Sequence, residues 1–361
     1  MYVRNILMVI SLALSIAIGL VIARGQQAAN NAAPVGPAYH PLIGLSLDTL
    51  KEARWQSDRD NFRARCEALG AKVIVDEANS DDSRQAEDVQ SLLAAGVKVL
   101  VIVAHDGNAM SKSVIEAHNQ GIPVIAYDRM VMNCPLDLYM SFDNVKVGHQ
   151  QAQYLVDHLP TQGHGKIVRI YGSPTDNNAR MFKQGQDEVL DPLIRSKAIE
   201  VVHEDWADDW KPENAKRIMN AAIAKGVQYQ AVLASNDGTA GGAIQALKEN
   251  GLAGKILVTG QDADLDACQR IASGTQSMTI YKPVKALATL AAERAVDMAN
   301  GGRVASNATV NNGQIDVPSI LHEVYSVTKD NMLDTVVKDG FHSYDEIYGD
   351  LPAADRPARP Q

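Results

Sequence analysis

Seven short apolar runs recur along the chain at intervals of roughly 25 to 30 residues over much of its length, separated by stretches whose apolar residues fall at helical spacing. The runs are "LIGLSL" (42–47), "KVIV" (72–75), "KVLVIV" (98–103), "PVIAY" (123–127), "KIVRIY" (166–171), "AVLA" (231–234) and "KILVT" (255–259). Segments 51–69, 82–95, 147–158, 212–225 and 239–250 supply the helical pattern between them. Strand, helix, strand in succession requires parallel sheets, because a parallel pair needs a long crossover that a helix provides. The expected class is therefore α/β.

The alternation pauses at "YMSFDNVKVG" (139–148), "MTIYKPVKA" (278–286) and "ATVNNGQIDVP" (308–318). Three pauses predict two Rossmann-like lobes joined by three crossings near 143, 282 and 313, with helix 284–299 returning to the first lobe. The expected lobes are 41–143 plus 283–313 and 144–282 plus 314–346. Ligands of open parallel sheets bind outside the carboxyl ends of the strands, so a cleft between such lobes is the expected site.

Residues 1–24, "MYVRNILMVISLALSIAIGLVIAR", hold an almost uncharged apolar run after Arg4. They are expected to be an export signal or an anchor over residues 5–23, and removal on export is the favoured outcome. Residues 25–40 are expected to be a flexible linker, and the Pro-rich 347–361 a disordered tail. Cys66, Cys134 and Cys268 are odd in number and widely spaced, which gives no disulfide framework and no zinc site. A lipoprotein is excluded, since Cys66 lies far beyond any lipidation position.

The net charge of −9 over 361 residues, with no Lys/Arg-rich run, excludes a nucleic-acid binder. A small neutral or cationic partner fits better. "DADLDA" (262–267) opens like a calcium loop but has Ala267 where the glycine belongs and Ser273 where a bidentate Glu belongs. The glycines of "SNDGTAGGAIQAL" match no phosphate-binding pattern, and no H-E-x-x-H or G-x-S-x-G motif occurs. Neither a cofactor nor a metal is expected, and an enzyme is not the expected class.

The residues just past the strand ends form an unusual set. Asp48 and then Arg54-Trp55 come after the first, and Asp128-Arg129 end "VIAYDRM". Further on stand Asp176-Asn177-Asn178, Asn236-Asp237, and Asp262 with Asp264, while Lys282 sits at a crossing. Acids, amides and cations converging on one cleft suit a ligand with many hydroxyls. Trp55, Trp206 and Trp210, the three tryptophans, could offer indole faces to a sugar's C–H surface; core or surface packing is the alternative for each.

The stretches "ARWQSDRD" (53–60), "AYDRM" (126–130), "SFDNVKVG" (141–148), "GSPTDNNA" (172–179), "ASNDGTAGGAIQAL" (234–247), "TGQDADLDA" (259–267), "SGTQSMTIYKP" (273–283) and "VKDGFH" (337–342) carry a resemblance. From about 42 to 345 the chain resembles the ribose/galactose group of substrate-binding proteins that serve bacterial ABC sugar importers, its D-xylose receptors in particular. The resemblance implies a type I periplasmic binding protein in which two lobes, joined by a three-strand hinge, close on one monosaccharide. It implies Arg54, Trp55, Asp128, Arg129, Asn178, Trp210, Asn236, Asp262 and Lys282 as sugar contacts. It further implies a periplasmic monomer that delivers an aldose, D-xylose first, to an ABC permease in the inner membrane. The alternatives are a membrane-anchored sensor presenting sugar to a signalling partner, a sugar-responsive regulator, and a sugar-processing enzyme. The regulator would need a helix-turn-helix where residues 1–40 have an apolar run, and the enzyme a nucleophile or metal set.

Overall fold

A computed structural model describes residues 40–360; the expected signal or anchor and most of the expected linker lie outside the described residues. The chain opens with β1 (Leu42–Leu47), α1 (Ala53–Ala68), β2 (Lys72–Glu77), α2 (Asp82–Ala94), β3 (Val99–Ile102), α3 (Ser111–Asn119), β4 (Val124–Tyr127) and β5 (Leu138–Phe142). It continues with α4 (Asn144–His158), β6 (Gly165–Tyr171), α5 (Asn177–Arg195), β7 (Ile199–Trp206), α6 (Pro212–Ala224), β8 (Ala231–Ala234), α7 (Asp237–Glu249), β9 (Leu257–Val258) and α8 (Leu265–Ala272). The remainder is β10 (Thr279–Tyr281), α9 (Val284–Ala299), β11 (Ala308–Asn311), β12 (Asp316–His322), β13 (Tyr325–Val327) and α10 (Tyr344–Tyr348).

One sheet runs β11-β12-β5-β4-β3-β1-β2, parallel except for the β11–β12 pair; a second runs β7-β6-β8-β9, parallel throughout. The central strands are apolar on both faces because each face meets helices. Along β3, Val99 and Val101 join a core that includes Ala288 and Ala292 of α9, while Leu100 and Ile102 join one with Val89 of α2 and Val114 of α3. The second sheet repeats the device: Val168 and Ile170 pack toward α6 and α7, and Ile167 toward α4 and α5. Each fully buried Val, Leu or Ile is worth about 1.5–3 kcal/mol against exposure, so both layers hold the sheets.

Three expectations are corrected. Segment 314–322 was expected in the second lobe, but β12 pairs with β5 in the seven-stranded sheet. The third crossing therefore comes after His322 and not at residue 313; there the His322 carbonyl accepts the Asp143 N–H at 3.2 Å, beside the first crossing. The tail at 347–361 was expected to be disordered, yet Ile347 and Tyr348 are buried and the Tyr344 hydroxyl donates to the Pro357 carbonyl at 2.6 Å. Apolar residues placed just before the prolines explain this. Strand β7 is absent from the seven apolar runs because "HEDW" mixes charge into its pattern; it is an edge strand whose outer positions meet water.

Helices α4 and α5 approach closely. A Cβ on Gly148 would fall 1.9 Å from the Phe182 carbonyl oxygen, and one on Gly185 would fall 1.9 Å from that of Val145. Helix propensity alone would favour alanine by about 1 kcal/mol. The clash is with backbone, which cannot swing aside, so sterics win. Gly148→Ala and Gly185→Ala should each lower stability by at least the roughly 1–3 kcal/mol of an overpacked interior, read as a lower urea midpoint.

Candidate functional site

Strand β4 ends at Tyr127, and the backbone turns at once with Asp128 in the left-handed region at φ 61°. The turn is held from several sides. The Asp128 N–H donates to the Met140 carbonyl at 2.6 Å, and the Asp128 carbonyl accepts the Ser141 and Tyr139 hydroxyls at 2.8 and 3.1 Å. Its carboxylate pairs with Arg54 and accepts Asn178 Nδ2 at 3.1 Å. Burial pushes this carboxyl up, but Arg54 and Lys282 outweigh it and hold the pKa below its ordinary value. Arg129 turns the other way, 2.7 Å from Asp48 and 3.2 Å from Asp176. The two charges that end "VIAYDRM" thus serve two different networks.

Helix starts supply the amides. Asp176 caps α5 by accepting the Asn178 N–H at 2.8 Å, which sets Asn178 in the first turn. The Asn178 Oδ1 accepts Asn144 Nδ2 at 2.9 Å, so its orientation is fixed. Asn236 caps α7, and its Oδ1 is taken by the Thr239 N–H and hydroxyl at 2.9 and 2.7 Å. That leaves Nδ2 as the Asn236 group for a ligand.

The second lobe also contributes Asp262, at φ 102°, whose N–H donates to the Ile280 carbonyl at 2.8 Å. Lys282 is 1% exposed, and its ammonium lies 2.6 Å from Asp262 and 5.4 Å from the Phe142 ring centroid. Arg54 adds a longer contact to Asp262 at 3.4 Å, so one carboxylate joins groups from both lobes.

Two indoles flank these charges. Trp55 is buried, with the Arg54 and Arg129 guanidinium carbons 4.4 and 5.2 Å from its ring centroid. Trp210 ends the tight turn at Asp208–Trp210 with φ 58°, donates Nε1–H to Asp176 at 3.1 Å, and meets Phe182 edge-on at 6.2 Å. Gly172 makes room for it, because a Cβ there would fall 2.0 Å from the indole. Trp206 stands elsewhere, tilted against Tyr171 at 4.8 Å and under Arg180 at 5.8 Å on an open groove of the second lobe.

All nine residues that the resemblance implies as sugar contacts line one cavity of about 100 Å³, whereas Asp48, Asn177 and Asp237, also noted past the strand ends, do not line it. Asp176, Phe182, Gln261 and Asp264 line it too. Asp176 and Asp264 were visible as strand-end acids, whereas Phe182 was signalled only by its i+4 spacing from Asn178 on α5. The volume is well below the roughly 300–1,000 Å³ of sites for drug-sized molecules, so the arrangement suits one small, hydroxyl-rich ring.

Residues 43–303 match the family described as "Periplasmic binding protein domain". The chain is 49% identical over 306 residues to the D-xylose-binding periplasmic protein of Escherichia coli, covering 84% of this chain and 92% of that one. The protein of the same name from Haemophilus influenzae is 48% identical over 307 residues, covering 85% and 92%. Among solved structures, a carbohydrate transporter solute binding protein from Chloroflexus aurantiacus, in complex with D-glucose, superposes with a TM-score of 0.80 at 31% identity. That match covers 87% of this chain and 100% of the other.

Asp48 offers a test of the network around Arg129. Burial pushes its carboxyl up, but the His105 hydrogen bond and the Arg129 charge bring it down to about 2. A folded pKa below the unfolded one stabilises above the ordinary carboxylate range, and that stability is lost as pH falls toward 2. Asp48→Asn should cost at least about 2 kcal/mol at pH 7, with the gap to wild type narrowing below about pH 4 in urea unfolding.

Proposed function

Because the chain belongs to the periplasmic binding protein domain family, we propose that it is an exported receptor that captures one monosaccharide, D-xylose, and hands it to an ABC permease in the inner membrane. The observation that carries this reading is the pair of indoles, Trp55 from the first lobe and Trp210 from the second, lining one small cavity ringed by charged groups. A pyranose has two C–H faces and an equator of hydroxyls. Stacked between the indoles, it buries both faces and turns its edge to Asp128, Arg129, Asn178, Asn236, Asp262 and Lys282, while Arg54 ties Asp128 to Asp262.

Each hydroxyl can donate to a carboxylate and accept from a cation or amide, and such charge-assisted bonds contribute about 1.5–3 kcal/mol apiece. An analogue lacking one hydroxyl would leave a buried charge unpaired, so selectivity rests on the cost of the wrong ligand. The receptor does no chemistry on the sugar in this reading; the relatives with which it shares most of its length are named as binding proteins. Their names also place them in the periplasm, and the same compartment is proposed here.

The test is a titration of the full chain with a panel of monosaccharides, followed by tryptophan fluorescence and thermal melting. D-xylose should give the largest rise in melting temperature, since ligand at 100 times its Kd adds about 2.7 kcal/mol. Trp55→Ala and Trp210→Ala should each weaken binding at least about tenfold, because a stacked face is worth roughly 1–3 kcal/mol, while Trp206→Ala should leave affinity unchanged. A melting transition moved by a nucleotide or amino acid, and by no aldose, would refute the reading.

A further inference from the structure

Besides exposed Glu52, four acids line the cavity: buried Asp128 and Asp176, and half-buried Asp262 and Asp264. The first three have protein partners. Asp128 has Arg54 and Asn178, Asp176 has Arg129 and Trp210, and Asp262 has Lys282, Arg54 and Gln261. Among the described residues, no hydrogen bond or ion pair reaches the carboxyl of Asp264. Its position makes this unusual, since Asp264 is the N-cap of α8, where an aspartate normally accepts a backbone N–H of the first turn. It makes no such cap and instead lines the cavity, half-buried.

We propose that Asp264 is a ligand-contacting, specificity-determining residue that reads one ring hydroxyl through its carboxyl, and that it does so as a hydrogen-bond donor. The inference rests on the sugar-binding reading above and adds to it a residue and a polarity. Every cation nearby is committed elsewhere. Lys282 is held on Asp262 at 2.6 Å, and Arg54 is shared among Asp128, Asp58 and Asp262. Arg270 gives Nε to Gln276 at 2.9 Å and a terminal nitrogen to the Asp237 carbonyl at 2.9 Å.

Two further carboxyls crowd Asp264. Asp262 is two residues away, and buried Asp237 accepts the Asp264 N–H at 3.0 Å. Burial and the negative Asp262 push the Asp264 carboxyl up to about 7, against the opposing pull of Arg270, Arg54 and Lys282. On α8 the titratable and charged groups are Asp266, Arg270 and Cys268, whose thiol burial keeps neutral, and His342, which packs its ring nitrogen 2.9 Å from the Ala263 carbonyl, is likewise pushed toward the neutral form by burial. None of the three cations, Arg270, Arg54 and Lys282, makes a hydrogen bond or ion pair with the Asp264 carboxyl. A neutral carboxyl in this wall gives the cavity a donor among acceptors, and its O–H can meet a hydroxyl oxygen that the carboxylates cannot serve.

The experiment is calorimetric titration of the full chain with D-xylose from pH 6 to pH 8, for wild type, Asp264→Asn and Asp264→Ala. If the protonated form binds, wild-type Kd should rise about tenfold across that interval, the ratio of protonated fractions for a group titrating near 7. Asparagine keeps a donor at every pH, so Asp264→Asn should hold its affinity and flatten the profile, while Asp264→Ala should bind at least about tenfold more weakly at pH 6. Asp58, pushed up to about 6 by burial, and His105, raised by its bond to Asp48, titrate in all three proteins and cancel in the difference between profiles. Buried Asp237, pushed well up by burial and by the neighbouring Asp264, loses that neighbour's charge in both variants alike, so the contrast between Asp264→Asn and Asp264→Ala reports the Asp264 hydrogen bond itself. A role confined to the helix start would move the melting temperature and leave the pH profile of binding alone. Asp264→Asn with the wild-type slope, or Asp264→Ala with wild-type affinity, overturns the inference while leaving the sugar reading standing. Failure of wild type to bind any aldose at any pH overturns both.

Discussion

The arrangement of the two lobes depends on ion pairs that cross between them largely shielded from water. Arg129 at the end of β4 reaches Asp176 at the start of α5, and Arg54 in α1 reaches Asp262 beyond β9. Removing one such ion from water costs several kcal/mol, and mutual attraction repays this only when geometry is good and the remaining lone pairs are filled. Here each guanidinium meets more than one carboxylate, and each carboxylate meets at least one further donor. The network therefore favours the lobes in register and disfavours any slippage that would strand a charge.

Backbone strain sits in the same place. Asp128, Trp210 and Asp262 all have positive φ, at 61°, 58° and 102°, a region that costs a non-glycine residue of order 1–3 kcal/mol. Aspartate tolerates it better than tryptophan does. Each is held by backbone hydrogen bonds from its own N–H, to Met140, Ala207 and Ile280 respectively. Strain of this kind persists where surrounding structure over-determines it, and the outcome is that one acid, one indole and a second acid are aimed into one cavity. Two of these acceptors lie in strands, Met140 in β5 and Ile280 in β10, and the third, Ala207, directly follows β7.

Much of this was legible in the sequence because buried parallel strands must be apolar on both faces, which makes β1, β3, β4, β6 and β8 stand out as short continuous runs. Strands at edges or crossings carry no such mark. β7 mixes His203, Glu204 and Asp205 into its pattern, and β12 holds Pro318, so the sequence pattern places the third crossing before β12 when it comes after. The polar residues that end strands were equally visible, since charge has no reason to come after a core strand unless something polar meets it. Positive φ at Trp210 was not visible, because nothing in "DDW" demands it; the choice between Trp206 and Trp210 depended on resemblance. Phe182 had only its i+4 spacing from Asn178 and Gln261 no signal beyond composition, for an apolar residue on an amphipathic helix and an amide in a loop look much the same wherever they face.

The balance of charge in the cavity also constrains what can enter. Three cations, Arg54, Arg129 and Lys282, face Asp128, Asp176 and Asp262, and every one of these six already has an opposite partner. An anionic guest would set itself against three carboxylates, and a cationic guest against three cations, each at separations where like charges in a low-dielectric site cost several kcal/mol. A neutral guest avoids both penalties. An apolar neutral guest, however, would bury the spare lone pairs and N–H groups without replacing their hydration. What satisfies every wall is a neutral molecule with many hydroxyls around its edge and two flat C–H faces for Trp55 and Trp210, small enough for a space of about 100 Å³. Those requirements describe a single sugar ring, and they arise from the pairing of the charges as much as from the identity of any one residue.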